Sequence, residues 1–89
     1  MQLGSVQTRY SANFSYIKDT VVATHLENYG EYKQKEINLL ANLLQSNTGT
    51  TIIYDVGAGV GVHTMAFSKH GSVVAFEHDE DKLRCLKMN

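Results

Sequence analysis

The strongest pattern in the chain is a stripe of apolar residues at helical spacing in its first half. The stripe consists of Ile37, Leu39, Leu40, Ala41, Leu43 and Leu44. Apolar positions at i, i+3, i+4 and i+7 predict an amphipathic helix that packs one side on a core. We place this helix at 31–46, after an entry at Asn28, Tyr29 and Gly30 and before a polar stop that ends at Gly49.

The second half alternates between short apolar runs and helical segments. The runs at 51–56 and 72–77 are rich in β-branched residues, and the first ends at a glycine cluster, which is typical of a buried parallel strand. Helices are predicted at 62–69, with Gly71 as the C-terminal cap, and at 79–87, which begins with an aspartate N-cap. This order predicts a βαβ unit with a right-handed crossover and a helix on each side.

The polar residues 1–29 form an extension in front of the domain at 30–89. Phe14 and Tyr16 stand at period two, which favours short strands or a hairpin with its turn at 11–13 or 18–19. The same spacing recurs at Thr20, Val22 and Thr24.

Composition narrows the possible classes of protein. The 89 residues suit one domain, and a single cysteine cannot form a disulfide within the chain. Eight basic and nine acidic residues give a net charge of −1, which argues against binding to nucleic acid or to anionic membranes. No apolar run is long enough to span a bilayer, and the N-terminus lacks a secretory signal, so we expect a cytoplasmic protein.

The chemistry-bearing feature is a glycine-rich turn between the first strand and the helix that follows it. Gly57, Gly59 and Gly61 follow Asp55, and glycines here let a ligand approach the backbone without meeting a Cβ atom. Glu77 ends the second strand, 22 residues after Asp55. Because neighbouring parallel strands end side by side, the Glu77 carboxylate can reach a ribose lying across the turn and accept two hydrogen bonds from its diol.

The spacing of the glycines indicates which nucleotide could bind. A dinucleotide fingerprint requires G-x-G-x-x-G, but Val62 occupies the position of the third glycine and Gly61 comes one residue early. Asp55 would also repel a phosphate beside it. The pattern therefore favours an adenosyl ligand without a pyrophosphate and disfavours a dehydrogenase.

Four sequence blocks in order resemble class I S-adenosylmethionine-dependent methyltransferases of the FkbM type. The blocks are G-E-Y-x-x-x-E at 30–36, D-V-G-A at 55–58, G-V-H-T at 61–64 and V-A-F-E at 74–77, followed by a leucine-containing helix that closes at Asn89. The resemblance covers about two thirds of the chain. It implies a Rossmann-like fold, S-adenosylmethionine as cofactor, and methyl transfer to a hydroxyl of a sugar or small molecule. The expected cofactor-binding residues are Asp55, Gly57, Ala58, Gly59, Gly61, Glu77 and His78.

The chain departs from the family pattern in ways that leave alternatives open. The family usually has Asn at the position of Gly59 and Pro at that of His78, and the resemblance stops before the family's later strands and acceptor site. We therefore expect a truncated fold that forms a homodimer or larger assembly, through strand pairing or exchange of the N-terminal segment. A non-catalytic S-adenosylmethionine-binding module and a structural or regulatory remnant are the alternatives.

The histidines beside the turn, Glu36 and Cys85 are interpreted as structural residues and not as catalytic ones. His63 and His78 flank the turn, but a lone histidine there is more often packed or exposed than catalytic, so no catalytic residue is assigned. Glu36 is interpreted as a solvated helix residue and Cys85 as a small core residue. No cysteine and histidine spacing resembles a metal site.

Overall fold

The computed structural model describes residues 2–45 and 51–89, which form a small α/β fold. Within these ranges there are two two-stranded sheets and four helices. In chain order the elements are β1 (Leu3–Val6), β2 (Phe14–Ile17), α1 (Val21–Tyr29), α2 (Gln34–Gln45), β3 (Ile52–Val56), α3 (Val62–Phe67), β4 (Ser72–Phe76) and α4 (Glu80–Met88).

The N-terminal segment contains the hairpin that its period-two spacing predicts. β1 and β2 pair antiparallel, with Leu3 opposite Ile17 and Val6 opposite Phe14. Residues 12 and 13 form a turn in the connection, within one of the two predicted turn positions. Phe14, Tyr16 and Ile17 are all buried, so the hairpin supplies a large part of the core.

The strand spacing proposed for residues 20–24 is wrong, because this segment is the start of helix α1. The Thr20 side chain caps the helix by accepting a hydrogen bond from the Ala23 N–H. Ala23 and Leu26, three residues apart, are the buried positions of α1. A short window can match both periods, and here the helical period determines the packing. Gly30, with φ 70°, ends α1 in the left-handed region instead of introducing the next helix.

Helix α2 begins at Gln34, three residues later than predicted, and the predicted last residue of that helix, 46, lies outside the described residues. Of the apolar stripe, only Ile37 is fully buried. Leu39 and Leu40 are exposed, which contradicts a core role for the whole stripe. The reason is that α2 packs mainly against α3, so only a narrow side of the helix is covered.

Strands β3 and β4 pair in parallel, as the βαβ pattern predicts. Their register runs from Ile52 opposite Ser72 to Val56 opposite Phe76. Burial alternates along both strands, and only the face that contains Ile53 and Val73 packs against the core. The inward-facing residues are only partly buried, so the prediction of buried strands is partly correct for one face and wrong for the other.

The connection from α3 to β4 differs from its prediction. α3 ends at Phe67, and Ser68 is its C-terminal cap, so Gly71 does not cap this helix. A Cβ atom at Gly71 would lie 2.5 Å from the Thr51 carbonyl oxygen. Glycine is required here because the chain passes close to the start of β3.

Helix α4 joins the two halves of the molecule. Asp79 is its N-cap, as predicted, and accepts hydrogen bonds from the N–H groups of Asp81 and Lys82. Cys85 is fully buried, as expected of a small core residue, and burial raises the pKa of its thiol. α4 also packs against β2.

The side chain of Asn89 fastens the end of α4 to two other segments. Its amide nitrogen donates to the carbonyl oxygens of Ser15 (2.9 Å) and Val60 (2.7 Å), and its amide oxygen accepts from the Ser15 N–H (2.7 Å). The hairpin is thereby joined directly to the glycine-rich turn. Across the described ranges, no helix has the length and apolar character needed to cross a membrane.

Candidate functional site

The glycine-rich turn connects β3 to α3 at the carboxyl end of the parallel sheet. Gly57, Gly59 and Gly61 all have positive φ angles, of 73°, 63° and 105°. The N–H groups of Gly57 and Ala58 both donate to the carbonyl oxygen of Phe76, at 2.9 and 3.0 Å. Because a left-handed conformation is costly for other residues, three glycines allow the turn to fold back onto the end of β4.

The three glycines face different surroundings. A Cβ atom at Gly57 or Gly59 would meet no atom of the described residues within 4 Å, whereas one at Gly61 would lie 2.8 Å from Cδ1 of Leu86. Gly57 and Gly59 therefore border open space that a ligand can enter. Gly61 serves the packing of the turn against α4.

Glu77 holds the turn from the end of β4. Its carboxylate accepts hydrogen bonds from the Gly59 N–H (2.7 Å, Oε1) and the Asp79 N–H (3.0 Å, Oε2), and only 4% of the side chain is exposed. The hydrogen bond from Asp79, and then that from Gly59, holds the pKa of this carboxyl below its usual value. The carboxylate is thus ionised and fixed in orientation beside the open turn.

Asp55 is fastened by a partner that the sequence did not indicate. Its Oδ2 accepts a hydrogen bond of 2.6 Å from the hydroxyl of Thr64, in the first turn of α3. Thr64 does fall in the fourth position of the G-V-H-T block, which is the signal that could have singled it out.

Two clefts meet at Gly57. The first cleft, of about 430 Å³, lies beside Glu77 and is lined by Val56, Gly57, Ala75, Phe76, Glu77, His78 and Leu83. The second cleft, of about 210 Å³, lies toward α2 and is lined by Val22, Tyr32, Lys33, Gly57, Ala58, Gly59, Val60, Val62 and His63. The glycine-rich turn therefore forms a ridge with a cavity on each side, and the first cleft lies within the size range of small-molecule sites.

His78 and His63 occupy different positions at these clefts. His78 is 99% exposed at the rim of the first cleft, with Nδ1 at 3.8 Å from the Glu77 carboxylate. His63 lines the second cleft, and its Nε2 lies 3.0 Å from Oε1 of Glu36 on α2. Glu36, interpreted from the sequence as a solvated residue, is half exposed yet links α2 to α3 through this contact.

The segment before α2 supplies side chains that sequence reasoning did not assign to the site. Tyr32 and Lys33 line the second cleft, and the Lys33 ammonium lies 5.7 Å from the centre of the Tyr32 ring. The Tyr32 N–H donates to the hydroxyl of Tyr10, which itself donates to Gln34. Tyr32 belongs to the G-E-Y block, but only the fold shows that it reaches the turn.

Over residues 2–45 and 51–89, no group of three or more histidine, cysteine or acidic side chains is arranged to hold a metal ion. Comparison with protein families, curated proteins and solved structures found no match for this chain.

Proposed function

We propose that this chain binds S-adenosylmethionine at the glycine-rich turn, as the cofactor-binding part of a methyltransferase that acts on a hydroxyl of a sugar or another small molecule. The observation that carries the proposal is the Glu77 carboxylate, held by two backbone N–H groups at the edge of an open cleft. The resemblance of four sequence blocks to FkbM-type methyltransferases supports the same ligand.

Glu77 retains the capacity to bind a ribose. An ionised carboxylate has about four lone-pair sites, and the N–H groups of Gly59 and Asp79 use two of them. The remaining sites can accept hydrogen bonds from the two hydroxyls of a ribose. Because the backbone already fixes the carboxylate, little side-chain entropy is lost when the ligand binds.

The same contacts disfavour a ligand with phosphates at the turn. A helix N-terminus usually offers free N–H groups to an anion, but the Gly59 N–H already donates to the Glu77 carboxylate. That negative charge, with Asp55 behind the turn, would repel a pyrophosphate and favour the positively charged sulfonium centre of S-adenosylmethionine. A dinucleotide-dependent dehydrogenase fits this arrangement less well.

The open space beside the turn also supports the proposal. Gly57 and Gly59 leave a cradle that Cβ atoms would fill, and Phe76 and Leu83 give the first cleft apolar walls beside Glu77. These residues would hold the adenosyl group, and S-adenosylmethionine when bound supplies the transferable methyl group. The residues of this chain bind and orient the cofactor, and none of them is assigned to the methyl-transfer step.

Titration calorimetry with S-adenosylmethionine and S-adenosylhomocysteine tests the proposal. We expect micromolar binding that weakens at least about tenfold in Glu77→Gln, because hydrogen bonds to a charged group are lost. Glu80→Gln, which changes an exposed carboxylate three residues away, is the matched control and should bind as the wild type does. Circular dichroism and a melting curve establish that each variant is folded.

Absence of binding heat from the folded wild-type protein would refute the proposal, as would equal binding of NAD. If S-adenosylmethionine binds, incubation with sugar and small-molecule hydroxyl acceptors, followed by measurement of S-adenosylhomocysteine, separates an enzyme from a binding module.

A further inference from the structure

The parallel sheet presents an uncovered apolar surface on the side away from α3. We call it the outer face, and it consists of Ile52, Tyr54, Val56, Val74 and Phe76. Tyr54 is 67% exposed and Val56 80% exposed, and the Tyr54 and Phe76 rings stack with their centres 6.3 Å apart. The alternation along β3 and β4 places these side chains together on one surface.

The outer face is large for a chain of this size. If an aromatic side chain exposes about 200 Å² when fully open, and an aliphatic one somewhat less, the exposed fractions add to on the order of 500 Å². This is comparable to the largest apolar patch of a typical monomer. Parallel sheets are normally covered on both faces, so an exposed apolar face is unusual for the parallel β3–β4 sheet.

The chemistry of the outer face favours a second copy of the same chain. The outward-pointing residues of β3 and β4 are the five apolar ones and Ser72, and none of them is charged. A symmetric contact therefore brings no like charges together, while a charged partner would find no complementary group. Two copies would bury on the order of 1,000 Å², near the lower bound for a specific interface.

We propose that the outer face is the interface of a symmetric homodimer, in which the two β3–β4 sheets pack face to face about 10 Å apart. This differs from the edge-to-edge strand pairing expected from the sequence. An area near this lower bound is typical of weak or transient interfaces, so we expect a reversible dimer and not a permanent assembly.

The interface adjoins the candidate site. Val56 and Phe76 belong to the outer face and also line the first cleft. A second copy seated on the outer face would supply a wall where a single chain leaves the cleft open. If the proposed function is correct, S-adenosylmethionine should therefore strengthen the dimer, and this coupling is the one part of the inference that rests on the proposed function.

Sedimentation velocity without ligand, across the micromolar range, tests the interface. We expect the wild type to shift with concentration from the 9.9 kDa monomer toward twice that mass. Tyr54→Glu places two like charges at the centre of the contact and should abolish the dimer over this range. Val21→Glu is the matched control, because Val21 is 69% exposed on α1, which is not part of the outer face, and should leave the dimer unchanged.

Four outcomes would overturn the inference: a wild-type monomer at every concentration, an open-ended series of assemblies, a dimer that survives Tyr54→Glu, or equal disruption by Val21→Glu. Circular dichroism checks folding, and Ile52→Glu gives a second variant on the same face if Tyr54→Glu unfolds. Since these runs contain no ligand, they are independent of whether S-adenosylmethionine binds. Addition of S-adenosylmethionine should then tighten the wild-type dimer and leave that of Glu77→Gln unchanged.

Discussion

The two small sheets of this protein reverse the expectation set by their sequences. The β1–β2 hairpin comes from a polar segment with few apolar residues, yet Phe14 is fully buried and Tyr16 and Ile17 are nearly so. β3 and β4 contain the most apolar strand sequences in the chain, yet their outer face is exposed. Apolar character therefore does not by itself determine which strand lies in the core.

The difference follows from what each sheet packs against. β2 contacts both α1 and α4, and the side chain of Asn89 bonds to the backbone of Ser15 in the same strand. β3 and β4 contact α3 on one face. The first sheet thus contributes most to the folded state, while the second positions the candidate site at its carboxyl end, where Gly57 and Glu77 meet.

Two aromatic truncations, one in each sheet, test this contrast, and one of them has the largest effect that we expect. Phe14→Ala should cost about 3–5 kcal/mol, because it leaves a cavity in the core of a small domain. Tyr54→Ala removes an equally large ring from the outer face and should cost the monomer less than about 1 kcal/mol. Urea denaturation measures both losses of stability, at a protein concentration below the range in which the dimer forms. Equal losses would show that the two sheets contribute equally to stability.

Local signals in the sequence were sufficient for several elements. The βαβ order, the parallel strands and the Asp79 cap all follow from residues close together in the chain, and each is confirmed. Helix α1 replaces the predicted strand because Thr20, Val22 and Thr24 match a strand period as well as the start of a helix. Burial of the α2 stripe and of the outer face could not be predicted, because it depends on distant segments that lie beside them.

In the candidate site, too, local sequence signals predict some contacts, while others depend on how distant segments pack. The meeting of Gly57 and Glu77 follows from one rule, that neighbouring parallel strands end at the same edge. The contacts of Thr64 with Asp55 and of His63 with Glu36 depend on how α3 and α2 are rotated. Spacing along the chain contains no measure of that rotation.

Two glycine substitutions at the ends of the second sheet compare close packing with backbone conformation. Both should cause an intermediate loss of stability. Gly71→Ala should cost about 1–3 kcal/mol, because the new Cβ meets the Thr51 carbonyl oxygen and the start of β3 must shift. Gly57→Ala should cost about 1–2 kcal/mol, from the positive φ angle alone, since its Cβ meets only open space.

Ligand binding separates these two variants more clearly than stability does. Under conditions in which both are folded, Gly57→Ala should weaken S-adenosylmethionine binding, because its methyl group enters the cradle, while Gly71→Ala should bind normally. Thermal melting and calorimetry measure the two effects. Normal binding by Gly57→Ala would show that the ligand does not lie against the turn.

The smallest expected effect is the pH dependence of the contact that fixes the turn. Hydrogen bonds from the N–H groups of Asp79 and Gly59 lower the pKa of Glu77 in the folded protein, relative to the ordinary value of 4.5. A lowered pKa means that this carboxylate stabilises the fold above the unfolded value, and that its contribution is lost as the pH falls through the folded value. The melting temperature of the wild type should therefore decrease between about pH 5 and pH 3.

Glu77→Gln should reduce that decrease without abolishing it. The pKa of Asp79 is also lowered, by hydrogen bonds from the N–H groups of Lys82 and Asp81, and its contribution has the same sign. Glu80→Gln, the exposed control, should follow the wild-type curve. If Glu77→Gln and Glu80→Gln have the same pH dependence, the Glu77 carboxylate does not hold the turn, and the geometry proposed to receive the ribose loses its support.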